Sequence, residues 1–305
     1  MQIGYSEFSS TYTEENHPMA IRVGFIGLGN QGGPIATHYA PSGFQTTVYD
    51  VDPQKIHELE QSGAQGATSP REVGESASLI GVCVPEDDHV RDVVQGKNGI
   101  LAGAAPGTVI LIHSTILPQT AIELSSEAAQ QGVALLDACV TGGAARAQSK
   151  ELTYMVGGDQ EDLEKARPML ECTSAHIIHA GPVGNGAKLK LCLNMITYIQ
   201  WAAVSESFAL AQAIDLPKEV LEEAGKANGQ LTPLMSAFLQ SQSLPPEVRE
   251  SEGLQTAMRG FMNVAEKDLA WALQLARKSE VGLPVTGLVA QSMARIYGVE
   301  DRGRR

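Results

Sequence analysis

The stretch IRVGFIGLGNQGGPIATHYA, from Ile21 to Ala40, decides the fold class of this sequence. A short, mostly apolar run from Ile21 to Ile26 predicts a buried strand, because it is rich in β-branched residues and bounded by glycine. Pro34 favours the first turn of a following helix, where its missing N–H costs little. Between them lies the spacing G-x-G-x-x-G, formed by Gly27, Leu28, Gly29, Asn30, Gln31 and Gly32.

This glycine motif has two interpretations. It is either a purely structural connection or a cradle for a dinucleotide, in which glycines permit a tight turn and the close approach of a pyrophosphate. A dinucleotide site also needs an acidic residue after the next strand, to accept hydrogen bonds from the adenine ribose. Thr46 to Tyr49 predicts that strand, and Asp50 follows it directly. We therefore favour a dinucleotide-binding site.

The charge around Asp50 bears on the choice of dinucleotide. Asp52 adds a second carboxylate, and the first basic residue after Asp50 is Lys55. A 2′-phosphate would meet negative charge at this point, so the sequence favours NAD over NADP as the cofactor.

The rest of the pattern predicts an α/β domain followed by helices. Strands expected at 79–84, 109–112, 133–137 and 153–156 alternate with helical segments, which implies a mainly parallel sheet covered on both faces. Beyond about Gly186 the period is helical, at 187–213, 218–227, 262–279 and 288–297. We therefore expect a flexible N-terminal extension at 1–18, a dinucleotide-binding domain at 19–183 and a helical domain for substrate binding and oligomerisation at 184–305.

Composition argues against several other classes of protein. The chain has 22 Lys and Arg residues against 35 Asp and Glu, a net charge of −13, which disfavours binding to nucleic acid. Polar residues interrupt the longest apolar stretch, Met195 to Ile214, so we predict a core helix and no membrane partner.

The cysteines and the N-terminal residues indicate a reducing compartment. The first 18 residues lack the basic start and apolar run of a secretory signal. No two cysteines have C-x-x-C spacing, so we expect buried thiols in a cytoplasmic protein and neither a zinc site nor a redox pair. The four cysteines are Cys83, Cys139, Cys172 and Cys192.

The segment DACVTGG, from Asp137 to Gly143, is a candidate substrate site. It lies just past a predicted strand, at the edge where α/β sheets bind ligands. The hydroxyl of Thr141 and the N–H groups of Gly142 and Gly143 suit an anion such as a carboxylate. The alternative is an ordinary glycine loop.

The segment GNGAKLKLCLN, from Gly184 to Asn194, opens the longest predicted helix. Lys190 and Asn194 lie four residues apart and share one face of that helix, whereas Lys188 points elsewhere. The apolar neighbours of Lys190 would desolvate its amine, which lowers a lysine pKa and suits it for proton transfer. A solvated surface lysine is the alternative.

Four segments together, GFIGLGNQG, DACVTGG, GNGAKLKLCLN and EKDLAWAL, resemble the β-hydroxyacid dehydrogenases in their order and spacing. That family includes 3-hydroxyisobutyrate dehydrogenase and tartronate semialdehyde reductase, and the resemblance covers residues 21–297. It implies a Rossmann-like N-terminal domain, a long interdomain helix and an all-helical C-terminal domain. It also implies hydride transfer between NAD or NADP and a small β-hydroxy acid without a metal, and we expect a homodimer or homotetramer.

The resemblance also implies roles for individual residues. Lys190 matches the family's catalytic lysine, and Asn194 matches the asparagine that assists it. Lys267 matches a lysine that reaches the cofactor. The family's substrate-carboxylate motif matches Thr141, Gly142 and Gly143. The loops that flank the dinucleotide match Val84, Pro85, Ser114 and Thr115.

Departures from the family pattern concern the substrate pocket more than the reaction. Gln31 stands where methionine is usual, and Cys139 replaces a proline. Thr141 replaces a serine, keeping the hydroxyl while its methyl group narrows the pocket. Two alternatives remain: an imine, ketimine or other carbonyl reductase of the same superfamily, which Lys190 disfavours, and a non-catalytic dinucleotide-binding protein.

Overall fold

The computed structural model describes residues 21–242 and 244–300, so the extension predicted at 1–18 lies outside the described residues. The N-terminal part is built on one eight-stranded sheet with the strand order β3-β2-β1-β4-β5-β6-β7-β8. The strands are β1 (Arg22–Ile26), β2 (Gln45–Tyr49), β3 (Gln65–Gly66), β4 (Leu79–Val82), β5 (Val109–Ile112), β6 (Ala134–Thr141), β7 (Leu152–Gly157) and β8 (Ser174–Gly181).

Most neighbouring strands in this sheet are parallel, and β6 with β7 is the antiparallel pair. β1 lies between β2 and β4 in the sheet. Because β1, β2, β4 and β5 are parallel, their carboxyl ends lie at the same edge. Ligands of open α/β sheets bind outside this edge. The mainly parallel sheet expected from the sequence is therefore confirmed.

Helices cover both faces of the sheet and then form the C-terminal part alone. Consecutive residues of a strand point to opposite faces, and Ile110 and Leu111 of β5 accordingly belong to different apolar clusters. The helices are α1 (Gly32–Ala36), α2 (Pro53–Glu60), α3 (Pro70–Ser76), α4 (Asp87–Gln95), α5 (Pro118–Ala129), α6 (Gly143–Gln148), α7 (Gln160–Glu171), α8 (Asn185–Ala213), α9 (Lys218–Ala227), α10 (Pro233–Gln242), α11 (Pro246–Arg249), α12 (Glu252–Lys278), α13 (Pro284–Ala290) and α14 (Met293–Tyr297).

Helix α8 joins the two parts of the molecule. Its first turns pack on β6 and β7, where Ala187 contacts the buried Cys139 and Met155. Its later turns pack on α12 and α14 around Tyr198, Leu269 and other apolar side chains. The long interdomain helix and the helical C-terminal domain are thus confirmed. Within the described residues, none of the helices is long and apolar enough to cross a membrane.

The structure corrects some expectations from the sequence. The short strand β3 and the edge strand β8 were not predicted, and the helix expected at 288–297 is divided between α13 and α14. Cys139 is buried as expected, but Cys192 is exposed, so the prediction of a buried thiol is wrong there. Cys192 lies on the solvent-facing side of α8 together with the exposed Leu193, whereas Leu191 faces the interior. The domain limits at 183 and 184 remain a prediction.

Candidate active site

The glycine turn between β1 and α1 has the geometry that a phosphate cradle requires. Gly27 has a φ of +89°, in the left-handed region that favours glycine. A methyl group there would collide with the carbonyl of Cys83, and one on Gly32 would collide with the carbonyl of Gly27. A methyl group on Gly29 would have no atom within 4 Å. The backbone can therefore approach a ligand closely at Gly29.

Asp50 holds this turn from the end of β2. Its Oδ2 accepts a hydrogen bond from the Leu28 N–H at 2.6 Å, and its Oδ1 accepts one from the Asp52 N–H at 2.9 Å. Each carboxylate oxygen keeps a further acceptor site for a ribose hydroxyl. Lys55 Nζ lies 4.0 Å from Asp50 Oδ1, so one ammonium group does approach this carboxylate.

Gln31 carries a polar group without a partner. Within the described part of the chain, its Nε2 is buried and makes no hydrogen bond. An unpaired buried donor costs free energy, which an acceptor on a bound ligand would recover. The open backbone at Gly29, the carboxylate of Asp50 and this amide therefore fit a bound NAD.

Two loops beside the turn are tied together by Lys267. The Val84 N–H donates to Ser114 Oγ at 2.8 Å, which joins the loop after β4 to the loop after β5. Lys267 Nζ, from α12, donates to the carbonyl oxygens of Pro85 at 3.2 Å and Thr115 at 3.0 Å. The helical domain thus contacts both loops that were predicted to flank the dinucleotide.

Lys190 is half-buried near the start of α8, and its environment differs from that of Lys188. Burial lowers the pKa of the Lys190 amine; the nearby Asp268 and Cys139 raise it, and Lys267 lowers it. Among the described residues, Lys190 makes no hydrogen bond or ion pair, so its donors remain available to a ligand. Lys188 is exposed and donates to Asn185 Oδ1 at 3.0 Å.

Asp268 belongs to the same cluster, although its sequence context indicated only a routine charged helix face. It is 1% exposed. Its Oδ2 accepts hydrogen bonds from Asn194 Nδ2 at 2.6 Å and from the Tyr198 hydroxyl at 3.3 Å, and its Oδ1 lies 3.5 Å from Lys267 Nζ. Burial raises the pKa of Asp268, against the lowering by Lys267 and Lys190. The helical period of the sequence could have indicated that Asp268 is buried, because it shares one face of α12 with apolar residues. These residues are Met262, Ala265, Leu269 and Ala272.

Asp137 is a second residue whose role the sequence did not reveal. It is fully buried on β6, and its two oxygens accept the N–H groups of Gly184 and Ala187, each at 2.8 Å. It therefore caps the N-terminus of α8, where backbone donors have no partner within the helix. A methyl group on Gly186 would collide with the carbonyl oxygens of Asp137 and Met155. The helix that carries Lys190 is fixed closely to the sheet.

The predicted carboxylate-binding residues lie at the end of β6. Thr141 is half-buried, and Gly142 and Gly143 have φ values of +128° and +70°. A Cβ on Gly143 would have no atom within 4 Å, so the turn is open at that residue. Within the described residues, no hydrogen bond joins Thr141 to Lys190 or Asn194. Two residues before Thr141 on β6, Cys139 Sγ donates to the Ser114 carbonyl at 3.4 Å, which joins β6 to the loop after β5.

His113, at the end of β5, is not a candidate acid or base. Its Nδ1 donates to the Ala138 carbonyl at 2.8 Å, and its ring stacks on Phe25. Burial lowers the pKa of His113 to about 4, so the ring is neutral at ordinary pH. The described residues also contain no group of three His, Cys, Asp or Glu side chains that could hold a metal ion.

Comparison with known families assigns both parts of the chain. The family described as the NAD binding domain of 6-phosphogluconate dehydrogenase matches residues 22–181. The family described as NAD-binding of NADP-dependent 3-hydroxyisobutyrate dehydrogenase matches residues 184–303. The sheet domain and its glycine turn therefore form an NAD-binding domain.

Individual relatives and a solved structure agree with this assignment. The chain is 34% identical to an NAD-dependent L-serine dehydrogenase of Pseudomonas aeruginosa, covering 90% of this chain and 91% of that protein. It is 32% identical to the 3-hydroxyisobutyrate dehydrogenase of the same organism, covering 92% and 93%. The structure of Mycobacterium tuberculosis 3-hydroxyisobutyrate dehydrogenase with L-serine matches with a TM-score of 0.76 at 28% identity, covering 92% and 94%. The chain belongs to the β-hydroxyacid dehydrogenase family, whose members act on CH–OH groups with NAD(P).

Proposed function

We propose that this enzyme transfers a hydride between NAD and the hydroxyl-bearing carbon of a small β-hydroxy acid, of the 3-hydroxyisobutyrate or 2-hydroxy-3-oxopropionate type. The observation that carries the proposal is the half-buried Lys190 amine, with a lowered pKa and free donors, close to Asp268 and to Lys267, which bonds to the loops after β4 and β5. NAD, when bound, accepts the hydride during oxidation and returns it during reduction.

Lys190 is the general acid and base in this proposal. Its neutral amine takes the proton of the substrate hydroxyl during oxidation, and its ammonium returns that proton to the carbonyl oxygen during reduction. Because burial lowers its pKa, more of the amine is neutral near pH 7 than in an exposed lysine. Asn194, one helical turn further along α8, orients the hydroxyl beside it.

Thr141, Gly142 and Gly143 hold the substrate carboxylate in this proposal. The support is the open, left-handed turn at the end of β6, whose N–H groups are suited to an anion. Both 3-hydroxyisobutyrate and L-serine, which occur in the names of relatives, carry a hydroxyl on the carbon β to a carboxylate. Methyl esters of accepted substrates should therefore show a strongly reduced kcat/KM.

The decisive experiment removes the amine of Lys190. A positioned proton-transfer group contributes about 100- to 10,000-fold, so Lys190→Ala should lower kcat by about that factor while NADH binding stays near wild type. Lys190→Arg should also fail, because a guanidinium does not release its proton near neutral pH. Activity is measured over a panel containing 3-hydroxyisobutyrate, L-serine and other β-hydroxy acids, with NAD and with NADP.

Lys188→Ala is the matched control, since Lys188 lies on the same helix but bonds to Asn185 at the surface. It should leave kcat unchanged. A Lys190→Ala enzyme with near-normal kcat on the panel, or turnover of imines alone, would end the proposal.

We further propose that residues 19–183 bind NAD, that residues 184–305 complete the substrate site and mediate self-association, and that the protein is a cytoplasmic homodimer or homotetramer. Self-association is supported by an uneven distribution of exposed large apolar side chains: 13 of the 17 among the described residues lie after residue 184. The free cysteines support the reducing compartment.

A further inference from the structure

Asp268 lies where it can influence the proposed proton transfer without touching the substrate. It is almost completely buried between α8 and α12, and it contacts Asn194, Tyr198 and Lys267. Burying a carboxylate is costly unless it is paired and hydrogen-bonded, and α12 uses apolar residues at the other positions of this face. Packing alone does not account for an aspartate at this position.

The hydrogen bond to Asn194 fixes the direction of an amide. The Lys267 ammonium at 3.5 Å and the Tyr198 hydroxyl favour the ionised form of Asp268 against its burial. An ionised carboxylate only accepts hydrogen bonds, so the Nδ2 side of Asn194 must face Asp268, at 2.6 Å. The other side of the amide is then the carbonyl oxygen. Among the described residues this oxygen has no partner, and it is the acceptor that Asn194 can offer to a substrate hydroxyl.

Asp268 bonds to Asn194, which lies one turn beyond Lys190 on the same face of α8, so its charge is close enough to act on the Lys190 amine. Asp268 raises the pKa of Lys190, whereas burial and Lys267 lower it. The groups that interact with the two residues come from four elements: Tyr198 on α8, Lys267 on α12, Tyr297 on α14 and Cys139 on β6. Asp268 is the acidic side chain in this set: it forms an ion pair with Lys267, and its charge raises the pKa of Lys190.

We propose that Asp268 is a positioning residue, which turns the Asn194 carbonyl oxygen toward the substrate hydroxyl and sets the protonation of Lys190 through its charge. This inference rests on the proposed role of Lys190 as acid and base. Asp268 would act in two ways, through its hydrogen bond to Asn194 and through its negative charge, and different variants remove each of them.

The experiment compares Asp268→Asn with Asp268→Ala. An asparagine keeps an acceptor for Asn194 Nδ2 but lacks the charge that raises the pKa of Lys190. The pH at which kcat/KM for oxidation reaches half its maximum should therefore fall by about one unit, as expected for the loss of a nearby opposite charge, with kcat at high pH largely kept. Asp268→Ala should show the same displacement and also lower kcat.

A double variant tests whether the effect passes through Asn194. If Asp268 acts through that amide, Asn194→Ala combined with Asp268→Ala should have the same kcat at high pH as Asn194→Ala combined with Asp268→Asn. Tyr198→Phe is the matched control, because it removes the other hydrogen bond to the same oxygen while keeping the charge; its pH midpoint should equal that of wild type. Thermal unfolding confirms that each variant is folded.

The outcomes distinguish this inference from the proposed function. If Lys190→Ala is inactive but Asp268→Asn keeps the wild-type pH midpoint, the charge effect is absent and the inference is wrong. An Asp268→Ala enzyme with wild-type kcat would contradict the orienting role. If Lys190→Ala itself stays active, the proposed function fails first.

Discussion

Asp50, at the scale of a single residue, combines two tasks. It shapes the glycine turn by accepting the Leu28 N–H, and we propose that its negative charge faces the adenine ribose of NAD. Asp52, which the sequence linked to the same repulsion, caps α2 by accepting the Gln54 N–H at 3.0 Å. We therefore expect the discrimination between NAD and NADP to depend mainly on Asp50.

We predict that Asp50→Asn increases the use of NADP relative to NAD. The amide oxygen still accepts the Leu28 N–H that shapes the glycine turn, whereas the Asp52 N–H loses its acceptor, and the repulsion of a 2′-phosphate is lost. Two charges 4 Å apart interact by about 1 kcal/mol in water, so the ratio of kcat/KM values for NAD and NADP should fall by about fivefold or more. Steady-state kinetics with both cofactors measure this ratio.

Lys55→Ala provides the opposite change at the same site. It removes the ammonium 4.0 Å from Asp50 and should make NADP a poorer cofactor. Equal ratios in wild type, Asp50→Asn and Lys55→Ala would show that charge at this site does not select the cofactor.

At the scale of elements, the N-terminus of α8 depends on one side chain from another element. Asp137→Ala would leave the N–H groups of Gly184 and Ala187 without their acceptors, at about 1–3 kcal/mol for each donor that water does not reach. We predict a lower free energy of unfolding and also a lower kcat, because the first turns of α8 carry Lys190. Urea unfolding and steady-state kinetics measure the two effects.

A cap of another helix serves as the comparison. Asp159 caps α7 by accepting the Glu161 N–H at 2.8 Å, at the protein surface. Asp159→Ala should cost about 0.5–2 kcal/mol of stability without changing kcat. If Asp137→Ala loses stability but keeps the full kcat, the cap does not position Lys190.

The elements that were predicted correctly share a local signal. β1, β2, β4 and β5 are apolar runs between turn residues, and their limits agree with the sequence pattern to within two residues. β8 contains two histidines and a serine and has exposed positions along its length, so its sequence resembles a loop. The contacts that make Asp137 and Asp268 important come from residues far away in sequence, which a local pattern does not report.

At the scale of the whole molecule, exposed apolar side chains concentrate in the helical domain. Leu210 on α8 is 62% exposed and Leu288 on α13 is 70% exposed. Exposed apolar patches of a domain are typical of protein–protein interfaces. We predict a solution mass that is two or four times the 32.4 kDa of one chain, measured by light scattering after size-exclusion chromatography.

Glutamate substitutions locate the interface. Leu210→Glu combined with Leu288→Glu should lower the solution mass, because charges would be buried on association. Val51→Glu, at an exposed position of the NAD-binding domain, should leave the mass unchanged. A monomeric wild-type protein would contradict the predicted assembly.

The close packing of α8 against β6 and β7 has a consequence for the evolution of substrate range. Gly186 admits no side chain there, so the first turns of α8 share the rigid framework of the sheet. Substitutions in α9 to α14, apart from Lys267 and Asp268 on α12, would then change the surroundings of the substrate while the amine of Lys190 keeps its position. We expect laboratory evolution toward new substrates to have most freedom at the other positions of those helices and least freedom at Gly186 and Asp137, which hold Lys190 at a fixed position relative to the NAD-binding sheet.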